Sequence, residues 1–345
     1  MSDQTASFVG FGDLLMRLQT PDKQRIVQAS SFDVMYTGAE ANAAVMLSQL
    51  GVPSRVVSRV PDNPVGQACV NSLRRFGVDT THIARGGERL GIFYLETGAA
   101  QRASTVVYDR LHTSFATAAA EEYDWDEILA GAGWLHFSGT APALGEPVRR
   151  VLRDALRTAR ARGVTVSCDL NYRARLWTNN DQQAVMEEFA PLIDVLFGNE
   201  EDTAKVFGIR AAGSDVHQGA LPVDSYRQVA EQLTERYGFR AVATSLRTSI
   251  SASVNRWAGM IYDGTDHALS RTYEINPIVD RVGGGDSYAG GVIFGLLNGW
   301  PLQRVVEFAA AASCLKHSIP GDFNLVDLQE IESLVQGDGS GRVRR

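Results

Sequence analysis

The residues Asp280-Arg281-Val282-Gly283-Gly284-Gly285-Asp286-Ser287 are the stretch of this chain best suited to chemistry, and the apolar run Tyr288 to Leu297 follows them. Three consecutive glycines leave backbone N–H groups uncovered by side chains. The run behind them is helix-like, so those amides and the positive end of a helix dipole point the same way, which makes a site for an anion. One carboxylate, Asp286, stands at its edge. Donors for developing negative charge, beside a base for an attacking hydroxyl, are what phosphoryl transfer requires. The plainer reading of the same letters is a glycine turn with Asp286 as an ordinary N-cap.

Other polar groups stand where strands end. Ser7 to Gly12 reads as a strand running into Gly-Phe-Gly-Asp13. A dinucleotide fingerprint would need a third glycine where Leu15 stands, so the useful feature is the carboxylate at the strand's C-terminal end, the ligand-binding end of a parallel sheet. In Thr37-Gly38-Ala39-Glu40-Ala41-Asn42, Gly38 permits close backbone approach and Asn42 offers both a donor and an acceptor. Asp169-Leu170-Asn171-Tyr172-Arg173 closes a buried strand. Asn199-Glu200-Glu201-Asp202 follows the strand Val195 to Phe197, where acids also favour an ordinary helix start.

The elements that must position these groups alternate. Strands are expected at Ser31 to Tyr36, Val56 to Val60, Trp134 to Phe137, Val164 to Asp169, Val195 to Phe197 and Ala241 to Thr244. Helices are expected at Ala43 to Leu50, Asn63 to Phe76, Pro147 to Arg162, Gln182 to Phe189, Glu200 to Phe207 and Val223 to Tyr237. Strands at Ile250 to Asn255, Trp257 to Tyr262 and Tyr273 to Ile275 lead to two closing helices, Ser287 to Leu297 and Pro301 to His317. This order implies an α/β fold, a mostly parallel sheet with helices on both faces. Gly91 to Glu96 and Ser104 to Tyr108 break the alternation as a hairpin with no helix between them. Residues of about 14–36 and 88–110 are therefore expected to form a small sheet outside the main one, a lid on a single domain spanning 1–335, with 336–345 a flexible tail.

Composition sets outer bounds. The chain has 345 residues, 44% hydrophobic and 21% charged, enough for one large α/β domain. A net charge of −7 argues against nucleic acid as a partner. Cys69, Cys168 and Cys314 are scattered, without metal spacing or a disulfide framework. Met1 to Thr5 lacks a basic leader and no apolar run reaches membrane-spanning length, so a soluble cytoplasmic protein with no membrane partner is expected. No G-x-x-x-x-G-K-[ST] is present, which leaves a P-loop NTPase unsupported.

The pattern D-x-V-G-x-G-D-S-[YF]-x-x-G, carried by Asp280, Gly283, Gly285, Asp286, Ser287, Tyr288 and Gly291, resembles the signature of the ribokinase (PfkB) family of sugar kinases. The resemblance runs over roughly Ser7 to Val335. It implies a three-layer ribokinase-like fold with a β-sheet lid, ATP and Mg²⁺ as cofactors, a sugar as substrate and pairing of subunits through the lid sheets. Asp286 would be the catalytic base, with Gly283, Gly284 and Gly285 holding the phosphoryl group. The sugar would meet Asp13, Gly38, Asn42, Tyr94, Tyr108, Arg110 and Arg173 beside Asp286. ATP would meet Asn171, Asn199, Ser245, Arg247, Gly283 and Gly285. Glu201 and Asp202 would act on Mg²⁺ through water, and Asp280 and Val282 would hold a monovalent cation such as K⁺. Four positions depart from the family pattern: Thr37 and Arg247 replace glycines, Asp202 a glutamate and Asp109 a tyrosine.

The arginines bear on the substrate. A neutral sugar needs no guanidinium, whereas a bidentate arginine matches a carboxylate in charge and shape. Gly38, Tyr94, Tyr108, Arg110 and Asn171-Tyr172-Arg173 together resemble the family's 2-keto-3-deoxygluconate kinases. The expected reaction is phosphorylation of the primary hydroxyl of that sugar acid to the 6-phosphate. The alternatives are a kinase for a neutral sugar (fructose, ribose or a nucleoside) and a non-catalytic sugar-binding member of the family.

Overall fold

A computed structural model describes residues 6–177, 179, 181–210 and 223–339. Met1 to Thr5 and the end of the expected tail, 340–345, lie outside them. The strands are β1 Ser7–Phe11, β2 Leu15–Gln19, β3 Asp33–Thr37, β4 Ser54–Val60, β5 Ile83–Arg85, β6 Gly91–Glu96 and β7 Thr105–Asp109. They continue as β8 Ala132–Ser138, β9 Thr165–Asp169, β10 Val195–Phe197, β11 Ala241–Ser249, β12 Asn255–Tyr262, β13 His267–Leu269 and β14 Tyr273–Ile275.

Ten strands form the main sheet, in the order β13-β12-β11-β10-β9-β8-β1-β4-β5 with β14 paired to β12. From β5 to β11 every pairing is parallel; β12, β13 and β14 close one side antiparallel. A parallel sheet covered on both faces needs strands apolar on both sides. Along β8, Trp134 enters one core while Leu135 and Phe137 enter the other. The helices Ala39–Gln49, Gly284–Leu297 and Leu302–Lys316 pack on the first face, and Glu146–Ala161, Gln182–Phe189 and Val223–Tyr237 on the second. Helix Glu146–Ala161 shows why: Val148, Val151, Leu152, Ala155, Leu156 and Ala159 are buried at helical spacing, with arginines between them. Burying each of the larger apolar side chains contributes roughly 1.5–3 kcal/mol.

The small sheet has the order β3-β2-β6-β7 and lies apart from the main one. β2 runs parallel to β6, and the outer pairs are antiparallel. Leu15, Phe93 and Leu95 form its own apolar cluster, against which Val282 packs, so one face looks onto the glycine loop.

Two strand expectations are corrected. Ile250 to Asn255 is not a strand: β11 runs unbroken to Ser249 because β12 pairs with it from Val242↔Tyr262 to Ser249↔Asn255. Within 14–36 there are two strands rather than one, since β2 also forms, with a buried Arg17 in its middle. A charge at the centre of a strand masks the apolar alternation that marks such elements.

Candidate active site

Because the seven strands from β5 to β11 are parallel, their C-terminal ends share one edge. Asp13 follows β1, Asp169 ends β9 with Leu170 to Arg173 after it, Asn199 to Asp202 follow β10, and Ser245 and Arg247 ride on β11. A cavity of about 860 Å³ opens there, roofed by Phe93, Val106 and Tyr108 of the small sheet.

The glycine loop forms the floor. Gly283 is in the left-handed region, at φ +82°, and caps the helix Gly284–Leu297. A Cβ there would stand 2.0 Å from the Asp322 carbonyl oxygen, so both backbone angle and space require glycine. Gly285 is exposed, and a Cβ on it would meet nothing within 4 Å. The first-turn amides therefore face an open pocket, and a helix N-terminus without acceptors favours an anion.

Asp286 sits in that first turn. Asn42 Nδ2 donates to its Oδ2 at 2.6 Å, leaving Oδ1 for a substrate proton. The Thr37 hydroxyl lies 3.1 Å from Asn42 Oδ1 and 3.0 Å from Asp322 Oδ1, which fixes the amide's orientation. The threonine that replaces a glycine thus supplies a hydroxyl to the network. Burial raises the Asp286 carboxyl to about 6, and the Asn42 bond opposes that rise. Burial raises Asp169 to about 8 with help from the negative charges of Asp286 and Asp202, and Glu40 to about 7. Gly12 exists for Glu40: a Cβ on Gly12 would come within 1.9 Å of its carboxylate. Neither Glu40 nor Asp169 was given a role from the sequence. For Asp169 the signal was there, the same strand-end carboxylate that singled out Asp13.

At the sugar end, Arg110 is 8% exposed and its Nη2 donates to Asp13 Oδ2 at 3.0 Å. Its buried Nε has no acceptor among the described residues. Burial raises Asp13 to about 6 against the lowering effect of Arg110. Tyr108 lies beside Arg110 and tilts against Phe93. Asp109, the other departure nearby, pairs outward with Arg89 at 2.8 Å. Gly38, Asn171 and the exposed Arg173 also line the cavity.

Tyr94 is corrected. It packs edge-on to Phe32 and does not line the cavity; its neighbour Phe93 does. Successive residues of a strand face opposite ways, and the cavity lies on the side of Phe93 and Tyr108.

At the other end, Ser245, Arg247, Arg281 and Val282 line the wall. Arg281 Nη2 donates to the Ala252 carbonyl at 2.8 Å, and the nearness of Arg247 helps lower its basicity after burial. Asn199 caps its own helix, accepting from the Asp202 N–H at 2.8 Å, and still reaches the cavity with Glu201 and Asp202. No group of three His, Cys, Asp or Glu residues forms a cage for a metal among the described residues. Carboxylates spread along the wall fit Mg²⁺ held by phosphates and water, its usual mode. A monovalent cation at Asp280 does not fit. Asp280 Oδ1 accepts from the Val282 N–H, and Oδ2 accepts from Arg17 Nη2 at 2.5 Å and the Gly321 N–H at 3.0 Å.

An anion loop at a helix N-terminus, an adjacent carboxylate and a sheet-edge cavity under a small sheet define a sugar phosphotransferase of ribokinase-like architecture. The sequence agrees at full length. The chain belongs to the pfkB family of carbohydrate kinases, whose model matches residues 5–324. It is 31% identical to a 2-dehydro-3-deoxygalactonokinase of Haloferax volcanii over 98% of this chain and 99% of that one. The crystal structure of 2-dehydro-3-deoxygluconokinase from Thermotoga maritima superposes with a TM-score of 0.92 at 51% identity, covering 96% of this chain and all of the other. A putative ribokinase II from E. coli in complex with ATP and Mg²⁺ shares the fold, with a TM-score of 0.76 at 18% identity over 96% and 99% of the two chains.

Proposed function

We propose that this kinase transfers the γ-phosphoryl group of ATP to the primary hydroxyl of 2-dehydro-3-deoxygluconate, the 2-keto-3-deoxygluconate of the sequence reading, giving its 6-phosphate and ADP. One observation carries the choice of a sugar acid: a buried guanidinium, Arg110, lines the sugar end of the cavity and makes a single hydrogen bond among the described residues, from Nη2 to Asp13, which leaves the rest of its fork unpaired. A substrate carboxylate satisfies it, with Arg173 at the same opening. The names of the relatives above point to the same substrate class.

In the reaction the substrate hydroxyl gives its proton to Asp286 Oδ1 as its oxygen bonds to the γ-phosphorus, and the bond to the β-phosphate oxygen breaks. The Gly285 and Asp286 amides face the charge that develops on the phosphoryl oxygens. Asn42, held by Thr37, keeps the Asp286 carboxylate turned toward the hydroxyl. Ser245 and Arg247 lie where the nucleotide phosphates would be. Asp202, Glu201 and Asp169, on the cavity wall, would hold a Mg²⁺ through water, and that ion would supply neutralising charge to the phosphates.

The test compares kcat/KM for 2-dehydro-3-deoxygluconate, its galactonate epimer at C4, fructose and ribose. The gluconate acid is expected to be the best of the four. Faster phosphorylation of a neutral sugar would overturn the assignment and leave the family untouched. One contact favours that second reading: Asp13 already neutralises Arg110.

The second proposal of this reading is a dimer. Val34, Leu18, Tyr94 and Val107 form one cross-strand row on the outer face of the small sheet. Val34 is 56% exposed and Val107 44%. Apposed rows from two subunits would bury this face, and the small sheet would close over the sugar. Val107→Asp is expected to yield monomer in sedimentation; wild type that is already monomeric removes the proposal. Among the described residues no helix is long and apolar enough to cross a membrane, and we place the enzyme in the cytoplasm, where ATP is available.

A further inference from the structure

Arg17 lies at the centre of β2 in the small sheet and is fully buried, a rare place for an arginine. Its partners come from the far end of the chain. Nη2 donates to Asp280 Oδ2 at 2.5 Å and Nη1 to Asp322 Oδ2 at 2.6 Å, and Nη2 also meets Gln19 Oε1. Lys316 is buried beside them, and its Nζ donates to the Ile319 carbonyl at 3.2 Å. Two buried acids thus face two buried cations, and the group is electrically balanced. It is mechanically central as well. Asp280 carries the Val282 N–H, the Asp322 carbonyl abuts Gly283, and Asp322 Oδ1 reaches through Thr37 to Asn42 and the catalytic Asp286.

We propose that Arg17 is a built-in cation for the glycine loop, so that this kinase neither needs nor binds a monovalent cation at Asp280. The inference rests on the family assignment and not on which sugar is phosphorylated. Any cation entering there would displace Arg17 Nη2 from Asp280 and leave a buried guanidinium with only one of its two acids, at a cost. The arrangement also ties a strand of the small sheet to the loop that holds the phosphoryl group. A free ion could do the first task and not the second.

The test uses the intact protein in tetramethylammonium chloride, with K⁺ exchanged in at constant ionic strength. The readouts are the thermal midpoint and the initial rate. Wild type is expected to show no saturable K⁺-specific rise in either. A stepwise rise in midpoint or a several-fold activation by K⁺ over tetramethylammonium overturns the proposal. In Arg17→Met the two acids lose the cation that bridges them and keep only Lys316 nearby, so the midpoint should fall in tetramethylammonium and recover as K⁺ is added. Arg17→Met that folds and ignores K⁺ also counts against it, because the vacated place would then not be a cation site. If Arg17→Met does not fold in either salt, Arg17→Lys decides. It keeps the charge without the fork, so it should fold less stably and stay indifferent to K⁺. A K⁺-dependent midpoint in Arg17→Lys overturns the proposal.

Discussion

Two arginines of the small sheet's neighbourhood, Arg17 and Arg110, each face buried aspartates, yet they serve different ends. Arg17 is sealed at 0% exposure between Asp280 and Asp322. Both leave a buried Nε–H without an acceptor among the described residues, but Arg110 meets one aspartate, Asp13, through Nη2 alone and lines an open cavity. The first pair holds a loop in shape. The second is a charge with bonding capacity left over, the state expected of a group awaiting a ligand. A buried ion pair alone therefore says little about function; the number of partners and the open space beside it say more.

The sharpest probe is Asp286, where the Arg17 network ends. Asp286→Asn is expected to fold, bind ATP and lose ~10²–10⁴-fold in kcat, since the amide keeps its shape and cannot take the proton. Near wild-type turnover would remove Asp286 from the role of base.

Next comes the contrast itself. Arg17→Met in potassium-free buffer leaves two buried carboxylates with Lys316 as their one nearby cation and should lower stability by about 3–5 kcal/mol, read in a denaturant titration. Arg110→Ala should destabilise less and instead raise KM for the sugar acid. Losing a charge-assisted bond of roughly 1.5–3 kcal/mol corresponds to a tenfold to hundredfold change, with KM for ATP little altered. Arg110→Lys should recover only part, lacking the planar fork. Equal stability losses in the two variants would erase the distinction drawn here.

Acidity gives a smaller effect with opposite signs in two readouts. Asp13 and Asp286 lie at about 6, Glu40 at about 7 and Asp169 at about 8, all above their ordinary values. These four groups bind more protons in the folded apoprotein than in the unfolded chain between pH of roughly 4 and 8, so their contribution to stability falls as pH rises through that window, while buried His136 and His317, lowered to about 3 and about 4, oppose it below about 6.5. Turnover needs ionised Asp286 and should rise as pH passes about 6. Glu40→Gln should flatten part of the stability slope. A midpoint that climbs steadily from acid to neutral pH would contradict this.

The smallest effect is expected at Tyr94→Phe. The ring keeps its place against Phe32 and the lost hydroxyl faces away from the cavity, so KM should stay within about twofold, the range of ordinary surface substitutions. A larger rise would return Tyr94 to the sugar site.

The sequence by itself determined whatever depends on neighbours along the chain. Gly283 to Asp286 are four consecutive residues, and a glycine turn entering a helix makes its anion site from its own backbone. Strand-helix alternation likewise announces a parallel sheet, and a parallel sheet places every strand's C-terminal end at one edge. That made Asp13, Asn171 and Asn199 legible as cavity residues from the sequence, and the family resemblance added Ser245. Tertiary structure decided which face of a strand met the cavity. Phe93 and Tyr94 have the same local credentials, and only the position of the small sheet above the glycine loop separates them. It also decided charge balance. Arg17 finds its acids 263 and 305 residues away, a distance over which no local pattern reports. The cation site that the family resemblance implies at Asp280 is, in three dimensions, filled by the protein's own guanidinium.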